Sequence, residues 1–114
     1  MSTPPVTMAD FEKLDLRVGV VLEVAPFPEG RYSTHILRID LGPELGVKKS
    51  LAKLAPNYGG PELVGTQVLC VVNFPPRQIG THRSEVLTLG VPDAAGNVVL
   101  LRPERAVPLG GRMY

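Results

Sequence analysis

Proline and glycine interrupt this sequence throughout. The 114 residues include 12 of each, so residues that break regular structure separate short apolar runs along the whole chain. Proline removes a backbone donor and glycine permits tight reversals, and this density suits short strands joined by turns. The apolar runs are far shorter than the roughly 20 residues of a membrane helix. The pattern therefore disfavours an all-helical fold, predicts an all-β fold and predicts no membrane insertion.

Five apolar runs have the length and alternation of β-strands. The first, residues 14–25, is long enough to serve two sides of a barrel, with Gly19 at its bend. The other four are predicted at residues 34–42, 47–55, 66–74 and 84–91. The loop at 75–80 is excluded from the sheet because its two prolines cannot donate to a strand ladder.

Shorter elements complete the pattern. A frayed tail at 1–6 precedes a helix at 7–13, where Thr7 and Asp10 have capping-box spacing. Pro61 begins a helical turn between the third and fourth strands. The loop at 92–97, in which Gly96 can take positive φ, leads to a sixth strand at 98–101. We expect one domain over residues 1–114: a five-stranded OB-fold barrel with a short N-terminal helix, a helical turn between strands 3 and 4, and a C-terminal β extension.

The net charge of +1 conceals an uneven distribution. Residues 31–83 contain seven basic and three acidic side chains, whereas the rest of the chain contains five basic and eight acidic ones. Such an excess can form one basic face, which is the electrostatic footprint of phosphate binding. A solvated surface of mixed charge is the alternative interpretation.

The reactive side chains do not form a catalytic pattern. His35 and His82 are far apart in sequence, and Cys70 lies in an apolar run that predicts burial. Ser84 and Glu85 lie close to His82, but the strained turn of a nucleophilic serine is missing and neighbouring strand residues point to opposite faces. We therefore expect no enzymatic activity, no metal and no cofactor. The N-terminus lacks a secretory pattern, which predicts a cytoplasmic protein.

The segment 73–85 gathers an amide, two guanidinium groups, an imidazole, a hydroxyl and an aromatic ring. These groups suit phosphates and unpaired base edges. Aromatic side chains that could stack on bases are few, and the candidates are Tyr32, Tyr58 and Phe74. Phe74 could equally belong to the core.

Several stretches resemble the tRNA-binding domain family, and in particular its CsaA branch. They are DLRVG at 15–19, IDLG at 39–42, GTQV at 65–68, and above all VNFPPRQIG at 72–80 followed by SEVL at 84–87. The resemblance extends from about residue 10 to residue 112. It implies an OB-fold homodimer, joined through the N-terminal helix and the segments after the fifth strand, that binds tRNA or another RNA.

The resemblance assigns binding roles position by position. It points to Asn73, Arg77, Ser84 and Glu85 in the loop motif, and to Lys48 and Ser50 on the third strand. The chain departs from the branch at Lys49, Lys53, His82 and Arg83, which add positive charge. The complete predicted nucleic-acid-binding set is Arg31, Lys48, Lys49, Ser50, Lys53, Asn73, Arg77, Gln78, Arg83, Ser84 and Glu85.

A second function is implied by the same resemblance. CsaA proteins are described as secretion chaperones that bind unfolded preproteins and SecA. In this chain Phe27, Leu109 and Met113 are the candidates to line an apolar groove at the dimer interface. The two functions predict different measurements: RNA binding weakens steeply with salt, whereas peptide binding tolerates salt and has a negative heat-capacity change.

Overall fold

The computed structural model describes residues 2–114, and strands account for most of its regular structure. The short helix α1 (Met8–Glu12) precedes the first strand, and the 3-10 turn η1 (Pro61–Leu63) lies between the third and fourth. The strands are β1 (Leu16–Pro26), β2 (His35–Asp40), β3 (Val47–Ala52), β4 (Gln67–Val71), β5 (Arg77–Ile79), β6 (His82–Ser84), β7 (Leu87–Thr88), β8 (Gly90–Pro92) and β9 (Val98–Leu100). No helix in residues 2–114 is long and apolar enough to cross a membrane.

The main sheet is an antiparallel barrel of five strands in the order β3-β2-β1-β4-β7. Its two edge strands, β3 and β7, meet through a hydrogen bond of 2.8 Å between the hydroxyls of Ser50 and Thr88. The hairpins β5-β6 and β8-β9 form separate ladders. The predicted OB-type barrel is confirmed, including the helical turn between β3 and β4 and the β extension near the C-terminus.

The first strand serves both sides of the barrel, as predicted, but Gly19 is not where its pairing changes. The register with β2 shifts between Val21 and Glu23, which marks a bulge that bends the strand. A Cβ on Gly19 would overlap Ile39 and lie 2.8 Å from Leu41 Cδ2. Gly19 is therefore required for close packing against the core rather than for the bend.

The region after β4 differs from the prediction. Residues 77–79, expected to lie in a loop outside the sheets, form β5 and pair with β6. The strand β4 already ends at Val71, before Pro75 and Pro76, and the donors of the residues after the prolines are free to start a new ladder. The single strand predicted at 84–91 is divided into the end of β6, β7 and the start of β8.

Apolar side chains fill the barrel, and the few polar groups among them are satisfied. Leu37, Ile39 and Leu54 have no exposed surface, and Cys70 is buried with them as predicted. Burial raises the pKa of the Cys70 thiol to about 11, so the thiol acts as a packing group. His35 Nε2 lies 3.0 Å from the Gly59 carbonyl oxygen and therefore donates to it.

The capping box at the N-terminus is present. Thr7 Oγ1 accepts from the Asp10 amide at 3.2 Å, and the Asp10 carboxylate accepts from the Thr7 amide at 3.0 Å. Of the tail predicted at 1–6, residues 2–6 are exposed and without regular structure, and Met1 lies outside the described residues.

Candidate nucleic-acid interface

Two predicted binding residues close the free edge of β3. The Ser84 hydroxyl accepts from the Leu51 amide at 3.1 Å, and Glu85 Oε1 accepts from the Lys49 amide at 3.0 Å. The Glu85 amide donates to the Lys49 carbonyl at 2.8 Å. An edge strand presents unpaired backbone donors and acceptors, and these two side chains satisfy them. They fasten the β5-β6 hairpin to the barrel.

Asn73 and Ser50 also have structural partners. The Asn73 side chain accepts from the Asp15 amide at 2.9 Å and donates to the Lys13 carbonyl at 2.7 Å, so it fixes the segment between α1 and β1. Ser50 is completely buried and bonds Thr88. Ser50 has no surface with which to touch a ligand, so its prediction as a contact residue is corrected. Alternation explains this, because Ser50 points into the barrel beside the core residue Leu37.

Two neighbouring clefts, which we call the arginine clefts, open on either side of Arg77. Each has a volume of about 400 Å³. One lies between the β1-β2 loop and the β5-β6 hairpin and includes Arg31 and Tyr32; the other extends towards Phe74 and Leu87. Ser33, Arg77 and Ile79 line both. The loops between the first two and the last two barrel strands flank the ligand face of OB folds.

The aromatic candidates divide between this surface and the core. Tyr32 is 79% exposed and Phe74 is 44% exposed, and each lines one of the arginine clefts. Tyr58 packs against the barrel core, and its hydroxyl accepts from the Leu100 amide at 3.0 Å. Of these three candidates, Tyr32 and Phe74 can therefore offer a ring face to a base.

Within residues 2–114, the predicted basic residues form no ion pairs with acidic side chains. The ion pairs within residues 2–114 join Lys13, Arg17, Arg38, Arg105 and Arg112 to carboxylates. The predicted basic set shares none of these pairs and consists of Arg31, Lys48, Lys49, Lys53, Arg77 and Arg83. Cations without counter-charges can neutralise phosphates at no cost in broken ion pairs.

The predicted cations lie in different parts of the surface. Arg31 and Arg77 lie in the arginine clefts, whereas Lys53 lines a neighbouring cleft formed with β7, β8 and β9. Gln78 and Arg83 pair across the hairpin and are exposed. Gln78 donates to the Gly80 carbonyl at 2.9 Å within the hairpin turn. Lys48 is half-buried, and its neighbour Lys49 points to the opposite face of β3.

His82 was not among the predicted binding residues. Its Nδ1 lies 3.3 Å from Lys49 Nζ, and its ring packs edge-on against Phe27 with the centroids 5.3 Å apart. His82 and Lys49 are 33 residues apart. The only sequence signal was that both positions depart from the CsaA pattern.

The apolar groove predicted for a polypeptide does not form as expected. Phe27 is 3% exposed, and Leu109 lines a separate cleft beside Gly42. Met113 lies in a third place, a cleft of about 540 Å³ between α1 and the last residues of the chain. Phe27 is buried because Gly30 of the same loop packs closely against its ring and the His82 ring packs edge-on against it. Within one chain, the three residues therefore do not line a common groove.

The cleft that contains Met113 is the centre of an exposed apolar surface. We call this surface the terminal patch; it consists of Met8, Phe11, Leu14, Met113 and Tyr114. Met8 is 67% exposed and Met113 41%. Arg112 holds the C-terminal segment against α1, because its guanidinium donates to the Glu12 carbonyl at 2.8 Å.

In residues 2–114 no group of three or more His, Cys, Asp or Glu side chains is placed to hold a metal ion.

Barrel, loops and arginine clefts together define an OB-type binding domain. Residues 16–112 match the family described as "Putative tRNA binding domain", and the chain belongs to this family. The description of this family names binding and no reaction. The chain is 34% identical over 108 residues to a methionine–tRNA ligase of Porphyromonas gingivalis and 36% identical over 108 residues to that of Pyrococcus horikoshii. These alignments cover 95% of this chain but only 15% and 14% of the ligases.

Solved structures agree with this assignment. The chaperone CsaA of Bacillus anthracis superposes with a TM-score of 0.89 at 43% identity, over 97% of this chain and all of that one. The CsaA chaperone protein of Picrophilus torridus gives a TM-score of 0.88 at 40% identity, over 96% of this chain and all of that one. A MetRS-related protein of Pyrococcus horikoshii shares the fold, with a TM-score of 0.86 at 21% identity over 98% of this chain and all of that one.

Proposed function

We propose that this chain is a non-catalytic RNA-binding protein of the CsaA type, and that tRNA or another RNA with unpaired nucleotides binds in the arginine clefts. One observation supports this proposal most directly. Arg31 and Arg77 have no ion-pair partner in residues 2–114, and they line the same clefts as the exposed rings of Tyr32 and Phe74. Guanidinium groups bind phosphates and ring faces stack on bases, which are the two contacts that single-stranded RNA needs.

Other residues of the predicted set support this surface in two ways. Lys53 and Arg83 add positive charge around the clefts without entering them, so they attract RNA over a distance that salt shortens. Asn73, Ser84 and Glu85 act by holding the loop and hairpin in place, since their polar atoms bond the backbone. An RNA ligand of this kind places the protein in the cytoplasm, where tRNA is found.

A titration of total tRNA at about 50 and 200 mM salt tests the proposal. Each neutralised phosphate contributes a slope of about 0.7–0.9 in log affinity against log salt. Arg77→Ala should weaken binding about tenfold and reduce the slope by about one phosphate. Arg105→Ala is the matched control, because Arg105 is 81% exposed and outside the clefts. Equal losses in both variants, or no binding by the wild type at low salt, would contradict the proposal.

We propose further that the protein is a homodimer joined through the terminal patch. The patch combines α1 with the C-terminal segment, as the resemblance implies, and exposes several large apolar side chains. Contiguous exposed apolar surface of this kind marks an interaction site. The double change Met8→Glu and Met113→Glu should halve the mass measured by light scattering, because two carboxylates would be buried without partners. An unchanged mass would place the interface elsewhere.

A chaperone that binds unfolded preproteins and SecA is the second candidate. It is supported by the two CsaA structures, each described as a chaperone, to which this chain is at least 40% identical. This candidate is an alternative to the homodimer joined through the terminal patch: where no second copy covers it, the patch is the apolar surface that such a ligand would use, in place of the groove first predicted. A permanently unfolded protein should then bind with little salt dependence, and the Met8→Glu and Met113→Glu changes should abolish binding. Failure of the wild type to bind at micromolar concentration would contradict this candidate.

A further inference from the structure

Lys49 on β3 and His82 on β6 form a side-chain contact. Lys49 Nζ lies 3.3 Å from His82 Nδ1. An ammonium group can only donate, so Nδ1 is the acceptor in this contact. Within residues 2–114, Nε2 has no hydrogen-bond partner. Lys49 uses one of its three donors in this contact and keeps two free.

The surroundings of His82 contain several charged groups. The ring lies between Phe27, which contributes no charge, and Lys49 on β3. The charged side chains on the elements packed around the ring are Glu29 and Arg31 in the β1-β2 loop, Lys48 and Lys49 on β3, Arg77 and Arg83 on the hairpin, and Glu85 after it. Of these, only Lys49 hydrogen-bonds to the ring. Glu85 directs Oε1 to the Lys49 amide, and cations outnumber carboxylates in this neighbourhood.

Protonating the ring in the free protein would place two cations in contact. Two like charges in contact repel, and they repel more strongly near a protein surface than in bulk water. A phosphate between the two side chains reverses this, because both cations then face an anion. Lys49 can donate to it with a free hydrogen, and the protonated ring gains a donor at Nδ1.

We infer that Lys49 and His82 form a phosphate subsite at the edge of the arginine clefts, and that occupation of this subsite by the RNA backbone takes up a proton at His82. The inference rests on the proposed RNA-binding function. Imidazole side chains change charge between about pH 5 and pH 8, so RNA binding strengthens as the pH falls through that range. By thermodynamic linkage, a ligand whose binding takes up a proton must bind more tightly as the pH falls.

Titration of total tRNA at about pH 6 and pH 8 tests the inference. The wild type should bind about three- to tenfold more tightly at the lower pH, with a salt slope steeper by about 0.7–0.9 because one more phosphate is neutralised. His82→Gln is the critical variant, since it keeps an acceptor for Lys49 but cannot titrate. The other histidine, His35, is buried and remains in this variant. His82→Gln should bind equally at both pH values and match the wild type at pH 8.

Calorimetry in two buffers of different ionisation enthalpy supplies a measurement that needs no variant. The wild type should take up as much as one proton per tRNA site near pH 6.5. Binding without proton uptake, or the same pH dependence in His82→Gln as in the wild type, would overturn this inference and leave the RNA-binding function intact. No tRNA binding at either pH would overturn both.

Discussion

The segment 73–85 contains two groups of polar residues with opposite surroundings. Asn73, Ser84 and Glu85 direct their oxygens to backbone amides of β1 and β3 or of the chain leading into them. Arg77 and Arg83 have no ion-pair partner in residues 2–114 and lie exposed on the hairpin. We call the first group the anchors and the second the free cations. Both groups come from one short stretch of sequence, yet they serve the fold and the surface respectively.

The two groups differ because of the hydrogen-bonding atoms that surround them. The open edge of β3 presents amide donors, so side chains with acceptor oxygens become its partners. Guanidinium groups are donors only, and within residues 2–114 those of Arg77 and Arg83 form no ion pair with a carboxylate, so they remain available. A polar motif that resembles a binding site can therefore be divided into anchors and contacts by asking which atoms already have backbone partners.

The largest expected effect lies in the anchors. Ser84→Ala leaves the amide of the buried residue Leu51 without its acceptor, which should cost about 1–3 kcal/mol in the free energy of unfolding. Urea denaturation measures this. Thr81→Ala, at the exposed hairpin tip, is the control and should change stability by less than about 0.5 kcal/mol. If the folded Ser84→Ala protein bound tRNA much more weakly while keeping its stability, Ser84 would belong with the contacts.

A smaller effect is expected from the aromatic side of the clefts. Tyr32→Leu removes a ring that is 79% exposed, so stability should hold while tRNA affinity falls by about 1 kcal/mol, the lower end for one stacked base. The salt slope should not change, since no phosphate contact is lost. Fluorescence titration at several salt concentrations measures both quantities. A flatter slope in Tyr32→Leu would show that the ring positions a cation instead of stacking.

Among the free cations, Arg83 should contribute less than Arg77 because it lies outside the clefts. Arg83→Ala should lower tRNA affinity about two- to threefold at low salt, with a slope reduced by less than one phosphate. Its cross-strand partner Gln78 supplies the matched control, and Gln78→Ala should leave the slope unchanged. A larger loss in Arg83→Ala than in Arg77→Ala would move the RNA to the outer face of the hairpin.

The smallest effect concerns a carboxylate in the turn η1, outside the segment 73–85. The Glu62 carboxylate accepts from the amides of Gly59 and Gly60 at 3.0 and 2.7 Å, and hydrogen bonds from the backbone, led by that of Gly59, lower its pKa from 4.5. A depressed pKa stabilises the fold above about pH 4.5, and this stability is lost as the pH falls through the folded value. Glu62→Gln should therefore flatten the acid limb of a stability profile. If the stability of Glu62→Gln fell with pH as steeply as that of the wild type, other groups would be responsible for the loss of stability at low pH.

The pattern of apolar residues determined the barrel. Alternation, proline and glycine placed the first four barrel strands and the turn at Pro61 near their observed positions, because these signals are local. They missed β5, since a three-residue strand after two prolines forms only when a partner folds back on it. The arrangement of residues 1–114 as one domain stays a prediction.

The sequence by itself determined which residues could bind a phosphate or a base: it carries the cations, their excess between residues 31 and 83, and the loop motif. Only the tertiary structure decided which of them are free to do so. Ser50 points inward, Ser84 and Glu85 face an open strand edge, and His82 meets Lys49 from 33 residues away. The physical reason is that residue type fixes what a side chain can donate or accept, whereas the fold decides whether a partner within the protein has already taken it.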